Sequence, residues 1–485
     1  MSRNKSITSL FTTVLFLFAS QVFAQPIPAA SFEKVPKPRV IVLTDVTNEP
    51  DDQESLVRFL VYANEYDVEG MIATTSTHLR GKVRKDKLVE AVNRYGQVRD
   101  NLLKHAPGFP TQAHLMNGVA EHLPLFGMEG VGPGKSSSGS QLIIKAVDRA
   151  DDRHIWISVW GGANCLAQAL WEVRQARSKA ALDQFVAKLR VYSISDQDDA
   201  GRWMRLEFPG LFYVVSPSNN DWREYYRATW SGISGDRHYK NGPMHKFSLV
   251  DNPWLEQHVM KNHGPLGEFY PRLEYIMEGD TPSFLSLIDN GLGSSISPAY
   301  GGWGGRYVWY QSYAETHPIW TNSQDSRDEV VTEDGKIHVS DQATIWRWRE
   351  AFQHDFAARM DWCVARTYAE ANHNPVVALQ GDKSKAIVRM TVAPEATVTA
   401  DATGTTDPDG NAVSFNWFVY KEAGTYSGAV TLSASKTSSV RFIAPKVDKP
   451  VTIHLICEVR DNGTPNLFSY RRVIVTVDPA LVVKP

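Results

Sequence analysis

Cysteine is scarce in this chain: three in 485 residues (Cys165, Cys363 and Cys457), at spacings that match neither a zinc cluster nor a paired redox motif. A disulfide scaffold is excluded, and the three thiols read as small buried hydrophobes. Excess charge of either sign is nearly absent as well. Fifty-one Lys and Arg stand against 54 Asp and Glu, a net charge of −3, which removes the basic footprint of a nucleic-acid binder. Beyond the N-terminus no apolar run approaches the ~20 residues of a membrane span. There is no glycine-rich phosphate loop and no zinc-binding helix motif. Gly 33 and Pro 26 are ordinary values, so collagenous and low-complexity classes fall away.

What is present is length and aromaticity. A chain of 485 residues is too long for one ordinary compact domain. Trp 14, Tyr 18 and Phe 20 make 11%, a load that serves cores and also stacks on sugars and bases. The N-terminus places Arg3 and Lys5 before an apolar stretch from Ile7 to Phe18, then Val22-Phe23-Ala24 before Gln25. This order reads as a signal peptide over residues 1–24, cleaved after Ala24, and predicts export to the periplasm or beyond the cell. Residues Gln25–Lys37 follow as a proline-containing leader.

From Arg39 onward, strands and helices alternate. Val40-Ile41-Val42-Leu43 is a β-branched run suited to a strand covered on both faces, and Leu56, Val57, Leu60 and Val61 mark one face of the next helix. Further strands are expected at Val68–Thr75, Ile155–Val159, Leu189–Ser195 and Leu211–Ser216, with helices between them. The pattern predicts an α/β domain over 38–372, an open parallel sheet with helices on both faces. Residues 217–340 are irregular and rich in glycine, proline and aromatics, and a single helix is expected from Asp341 to about Ala371. Seven short strand-like runs then lie between Ala386 and Val477, one of them Val430–Leu432. They predict an all-β immunoglobulin-like sandwich over 375–480, with Trp417 as a core anchor.

Ligands of parallel sheets sit at the carboxyl ends of the strands. There the first strand is followed by Thr44-Asp45-Val46-Thr47-Asn48-Glu49-Pro50-Asp51-Asp52. Carboxylates crowded in a cleft repel one another unless a hard cation such as Ca2+ joins them; the alternative is a solvated turn in which Asp51 or Asp52 caps the helix. Other candidates occupy the same edge. His78 after the second strand is either an acid or ligand reader, or a solvated loop histidine. Asp196, Asp198 and Asp199 are substrate contacts or a polar turn. Trp303 and Arg306, inside Gly301-Gly302-Trp303-Gly304-Gly305-Arg306, form a sugar-stacking platform or a packed loop. The turn Asp407-Pro408-Asp409-Gly410 is expected to be structural.

Asp45 followed by Asp51-Asp52 at a helix start resembles the calcium-binding aspartate signature of nucleoside hydrolases. Trp160-Gly161-Gly162-Ala163-Asn164-Cys165-Leu166-Ala167-Gln168-Ala169-Leu170 is similar to that family's Gly-x-x-x-Asn-x-Ala-x-Ala-Leu stretch. With the terminal sandwich, the chain resembles a family of exported bacterial proteins named for cellulose binding. The resemblance implies metal ligands Asp45, Asp52, Asp280 and the Trp160 carbonyl, Asp45 as the base that activates water, and sugar contacts from Asp51 and Asn164. Two departures stand out: nucleoside hydrolases place four positions between the first aspartate and the pair, whereas five lie between Asp45 and Asp51 here, a step of six. Gly279 also replaces a histidine that many of them use toward the leaving base. Two functions follow: a calcium-dependent hydrolase of N- or O-glycosidic bonds, or a non-catalytic protein that holds cellulose or another polysaccharide.

Overall fold

A computed structural model describes Met1 and residues 30–47, 49–217 and 222–481; the segment expected to be a signal peptide, Met1 apart, lies outside the described residues. The α/β domain runs β2 (Arg39–Thr44), α1 (Asp51–Val61), β3 (Asp67–Ala73), α2 (Lys85–His105), α3 (Gln112–Asn117), β4 (Val119–Glu121), α4 (Ser138–Asp148), β5 (Ile155–Val159), α5 (Asn164–Ala176), α6 (Lys179–Lys188), β6 (Leu189–Ser195), α7 (Ala200–Glu207) and β7 (Phe212–Ser216), after a short β1 (Ser31–Glu33). Four short strands come later: β8 (Val308–Tyr310), β9 (Ile319–Thr321), β10 (Asp328–Val331) and β11 (Ile337–Ser340). Eight strands form one sheet in the order β4-β3-β2-β5-β6-β7-β9-β8, parallel except at the β8 edge.

The β-branched run in β2 explains why both faces are covered. Val40 and Val42 enter a core with Leu56, Val57 and Leu60 of α1 and Leu88 of α2. Ile41 and Leu43 enter a second core with Ile143 of α4 and Leu166 and Leu170 of α5. The chain leaves β2 to build β3 and β4 on one side, then returns to add β5, β6 and β7 on the other. A crevice therefore opens between the carboxyl ends of β2 and β5, the place where such sheets receive ligands.

The C-terminal region is all-β, as its patterning predicts: β12 (Ile387–Val392), β13 (Thr397–Asp401), β14 (Val413–Val419), β15 (Ser439–Ile443), β16 (Val451–Asp461) and β17 (Phe468–Val477). A five-stranded sheet, β1-β12-β17-β16-β14, faces the pair β13-β15 across a core that contains Trp417. Three local expectations change. The leader contributes a strand, because Ser31–Glu33 pairs antiparallel with Ile387–Arg389 at the sheet's edge. Val430–Leu432 forms no strand, and only a Ser433–Arg441 bridge marks that position. The helix expected over 341–371 is a turn at Ala343–Trp346 followed by a helix from Arg349 to Trp362.

The two domains share a polar and aromatic junction, and the glycine loop at 301–306 lies inside it. This corrects the reading of Trp303 and Arg306 as a sugar platform, since their exposures are 2% and 1%. Trp303 packs edge-on against Tyr470 of β17. Asp328 accepts from Arg306 Nε (2.8 Å), Arg347 Nη1 (2.9 Å) and the Tyr420 hydroxyl (2.6 Å), so one buried carboxylate ties three segments of both domains. Arg472 of β17 donates to the carbonyls of Leu292, Tyr300 and Gly301. The glycines do permit close backbone approach, but to protein: a Cβ on Gly304 would meet the Pro282 carbonyl at 2.3 Å.

Removing one member of a buried charge cluster strands the others without a partner. Asp328→Ala is expected to cost about 3–5 kcal/mol of stability, read as a lower urea midpoint. A loss below about 1 kcal/mol would mean that Arg306 and Arg347 find water or other acceptors.

Candidate functional site

Parallel strands bring the ends of β2, β3, β5 and β6 to one edge, and loops from 222–239 and 274–280 close over them. A cleft of about 360 Å³ results, lined by Asp45, Glu49, Asp51, Asp52, His78, Gln197, Tyr225, Trp230, His238, Tyr239, Glu274, Tyr275 and Asp280, with Ile194 and Ile276.

Its floor is acidic. One carboxylate oxygen each from Asp51, Asp52 and Asp280 lies within 4.8 Å of the others, and Asp45 stands beside them. Asp51 thus takes a place in the tightest group, where a sugar contact was expected. Asp45 is 3% exposed; its Oδ2 accepts from the Ser76 hydroxyl at 2.5 Å and its Oδ1 has no donor. Asp52 accepts from the Thr44 hydroxyl, while Asp280, 1% exposed, leaves Oδ2 without a partner. Gly161 allows this packing, since a Cβ there would fall 2.3 Å from Asp45 Oδ1.

Burial and mutual repulsion set the electrostatics. Burial pushes Asp45 up to about 6, against the pull of the Ser76 hydrogen bond and with a further push from Glu49. Asp51 rises to about 7 through burial, then through Glu49 and Asp45. Asp52 and Asp280 are held well above the ordinary carboxylate range, by burial first and by neighbouring aspartates second. Buried oxygens with no donor, on the carboxylates of Asp45 and Asp280 and the amide of Gln197, are the kind of oxygen donors that a hard cation takes. The residues therefore fit a calcium ion. The Trp160 carbonyl accepts from Gln197 Nε2 at 2.6 Å, which leaves one lone pair for a cation.

Asp280 is brought to this floor by a second charged layer, which sequence reasoning missed. Glu278 lies at φ +52°, pairs with Arg58 of α1 through two contacts, and accepts from the Tyr270 hydroxyl at 2.8 Å. Glu54 accepts from the Glu278 backbone N–H at 2.8 Å. The available signal was Glu54 and Arg58, one turn apart on α1 beside the apolar Val57 and Val61. The cleft's wall from Tyr225 to Tyr239 was hidden in the stretch without regular pattern.

Three expected sugar contacts lie elsewhere, along with Trp303. Asn164 is fully buried and donates to Thr75 Oγ1 (3.2 Å) and the Leu125 carbonyl (2.8 Å), so it ties loops together. Asp196 is paired in bidentate fashion with Arg205 (2.8 Å for both bonds) and borders a separate recess of about 620 Å³. Arg306 serves the domain junction, as described above. Asp198 and Asp199 accept backbone N–H groups, from Asn164 and Ala200 and from Met128. His78, in contrast, lines the cleft. The Asp407 turn closes on itself, with Asp407 Oδ1 accepting from the N–H groups of Asp409 and Asn411.

Fold and cleft together define a nucleoside-hydrolase-like α/β protein with an acidic floor and an appended β-sandwich. Residues 39–307 match the family described as "Cellulose-binding Sde182, nucleoside hydrolase-like domain", and residues 397–477 match "Cellulose-binding protein Sde0182, C-terminal domain". The chain belongs to this cellulose-binding Sde182 family. A solved relative is a nucleoside hydrolase-related hypothetical protein from Saccharophagus degradans, associated with carbohydrate metabolism; it is 37% identical, with a TM-score of 0.78, over 91% of this chain and 100% of that one. The effector proteins XOO4466 and XopQ, the latter complexed with adenosine diphosphate ribose, are each 11% identical over 68% of this chain and 95% and 96% of theirs, with TM-scores of 0.31 and 0.30, too low to align a site. No curated protein matches the chain.

The raised carboxylates fix a pH dependence. A carboxyl that titrates near 6–7 when folded and near 3.8 when unfolded binds more protons in the fold between those values. Without divalent ions, stability should be greatest below about pH 4 for these groups and fall as pH rises through 6–7, by roughly 3 kcal/mol for Asp45 alone. Urea midpoints in EDTA at stepped pH measure this, and added calcium should cancel the loss at the alkaline end. A midpoint that rises with pH in EDTA would contradict it.

Proposed function

We propose that the chain is an exported calcium-dependent hydrolase acting on an N- or O-glycosidic bond of a carbohydrate-type substrate. The observation that carries this reading is the convergence of Asp45, Asp51, Asp52 and Asp280, with donorless buried oxygens on Asp45 and Asp280, at the carboxyl edge of a nucleoside-hydrolase-like sheet. Asp51, Asp52, Asp280 and Asp45, with the Trp160 carbonyl, would hold the ion. When bound, it supplies a positive centre that neutralises the carboxylates and acidifies a water.

The chain's own groups do the rest. Asp45 has an oxygen free of donors and takes a proton from the attacking water, while Ser76 fixes the carboxylate's orientation. Negative charge on the floor stabilises the oxocarbenium character that develops at the anomeric carbon. Asp51, besides holding the ion, would offer a carboxylate oxygen to a sugar hydroxyl in the cleft. Tyr225, Trp230, Tyr239 and Tyr275 provide apolar faces for a ring and keep bulk water from the reacting bond. Export is supported by the N-terminal residue order, and among the described residues no helix is long and apolar enough to cross a membrane.

A second reading, a non-catalytic cellulose-holding protein, is favoured by the description of both matched families and by the exposed Trp309, Tyr310 and Tyr313. Activity decides between the two. Nucleosides and plant or algal oligosaccharides should be cleaved with calcium and left intact in EDTA. Asp45→Ala and Asp280→Asn should each weaken calcium binding at least tenfold by calorimetry and lower turnover at least 100-fold. Unchanged calcium affinity in both variants, or cellulose retention with no turnover of any substrate, would overturn the hydrolase reading.

A further inference from the structure

A hydrolase needs a proton for the group that leaves as well as a base for the water that attacks. At position 279 the chain carries glycine, and a Cβ there would come within 2.8 Å of Asp51 Oδ2, so that position is filled by the acidic floor itself. The floor carboxylates give up their protons when they hold a cation, so the donor must come from another wall of the cleft.

We propose that His78, backed by Glu49, is the proton donor to the departing group, an assignment that rests on the hydrolase reading. His78 Nδ1 faces Glu49 Oε1 at 3.6 Å, and Nε2 lies 3.4 Å from the Tyr225 hydroxyl on the cleft wall. The side chain is 24% exposed, open to substrate yet held in place. Ser76 couples this wall to the floor. Its hydroxyl oxygen accepts from the backbone N–H groups of His78 and Leu79 (3.0 and 3.1 Å) and donates its own proton to Asp45 Oδ2. One serine therefore sets the spacing between the proposed base and the proposed acid.

A carboxylate facing Nδ1–H orients the ring with Nε2 toward the cleft, and the imidazolium, with an N–H on both nitrogens, is the form that donates from Nε2. Glu49 reaches His78 because the loop after β2 carries it between Asp45 and Asp51. In the reaction the water oxygen bonds to the anomeric carbon as the glycosidic C–O or C–N bond breaks. The electron pair of that bond passes to the leaving atom, which takes the Nε2 proton of His78. The water's proton passes to Asp45, and exchange with solvent restores both groups. The sum is glycoside plus water giving free sugar and alcohol or base.

The test compares leaving groups on one sugar. Wild type, His78→Gln and Glu49→Gln are assayed on nucleosides, methyl glycosides and 4-nitrophenyl glycosides of ribose and glucose; the nitrophenolate needs no proton to depart. His78→Gln should lose at least 100-fold in kcat on the unactivated substrates and less than about fivefold on the nitrophenyl ones. Glu49→Gln should show a smaller loss of the same kind, on the unactivated substrates and not on the nitrophenyl ones. Calcium affinity by calorimetry should stay within twofold of wild type in His78→Gln, which reports an intact fold and floor. Equal losses on both substrate types, or no loss, would overturn the assignment of His78 and leave the hydrolase reading standing. A wild type inactive on every substrate would overturn both.

Discussion

Withdrawing several carboxylates from water into one small volume is the constraint around which this molecule is arranged. Isolated ionised groups are too costly to bury, so such groups either take up protons or share a cation. Every element near the floor serves that convergence. Strand β2 ends at Thr44, whose hydroxyl supports Asp52; β3 leads to Ser76, which supports Asp45; β5 leads to Gly161, whose missing side chain gives Asp45 room. Asp280 arrives from a distant segment, held to α1 by the Arg58–Glu278 pair and the Glu54 contact.

The sandwich takes part in the same arrangement. The segment that continues from Asp280, through 282–306, is gripped by β17: Arg472 binds its carbonyls, Tyr470 donates its backbone N–H to Asn290, and Trp303 packs on Tyr470. The α/β core that holds α1 and β2 continues without a break to Tyr420, Ile456, Phe468 and Tyr470 of the sandwich. The strand Ser31–Glu33 fastens the segment that leads into β2 to the same sheet. The appended domain is thus a brace for the loop that delivers one floor carboxylate, besides whatever surface it offers to a polymer.

The sequence made the sheet legible because apolar runs such as Val40–Leu43 and Ile155–Val159 have few other uses, and the acidic edge legible because Asp45 and Asp51-Asp52 follow a strand directly. The rest depended on contacts between residues far apart in the chain. Glycines at 301–305 signalled close approach but not to what; the partner is the sandwich rather than a sugar. Asp196, at a strand end, reads from the sequence as a substrate contact or part of a polar turn, yet Arg205 in the following helix pairs with it. Tyr225, Trp230 and Tyr239 lie in short irregular turns with no periodicity, so nothing local announced that they wall the cleft.

Proton release on calcium binding tests the central claim most directly. Carboxyls titrating at about 6 and 7 must shed their protons before an ion can be shared. Calorimetry near pH 6 in buffers of different ionisation enthalpy should show at least about one proton released per calcium ion bound, declining toward zero above about pH 8.5. Absence of binding, or binding with no linked protons near pH 6, would contradict the account of a single buried acidic floor shared by one cation.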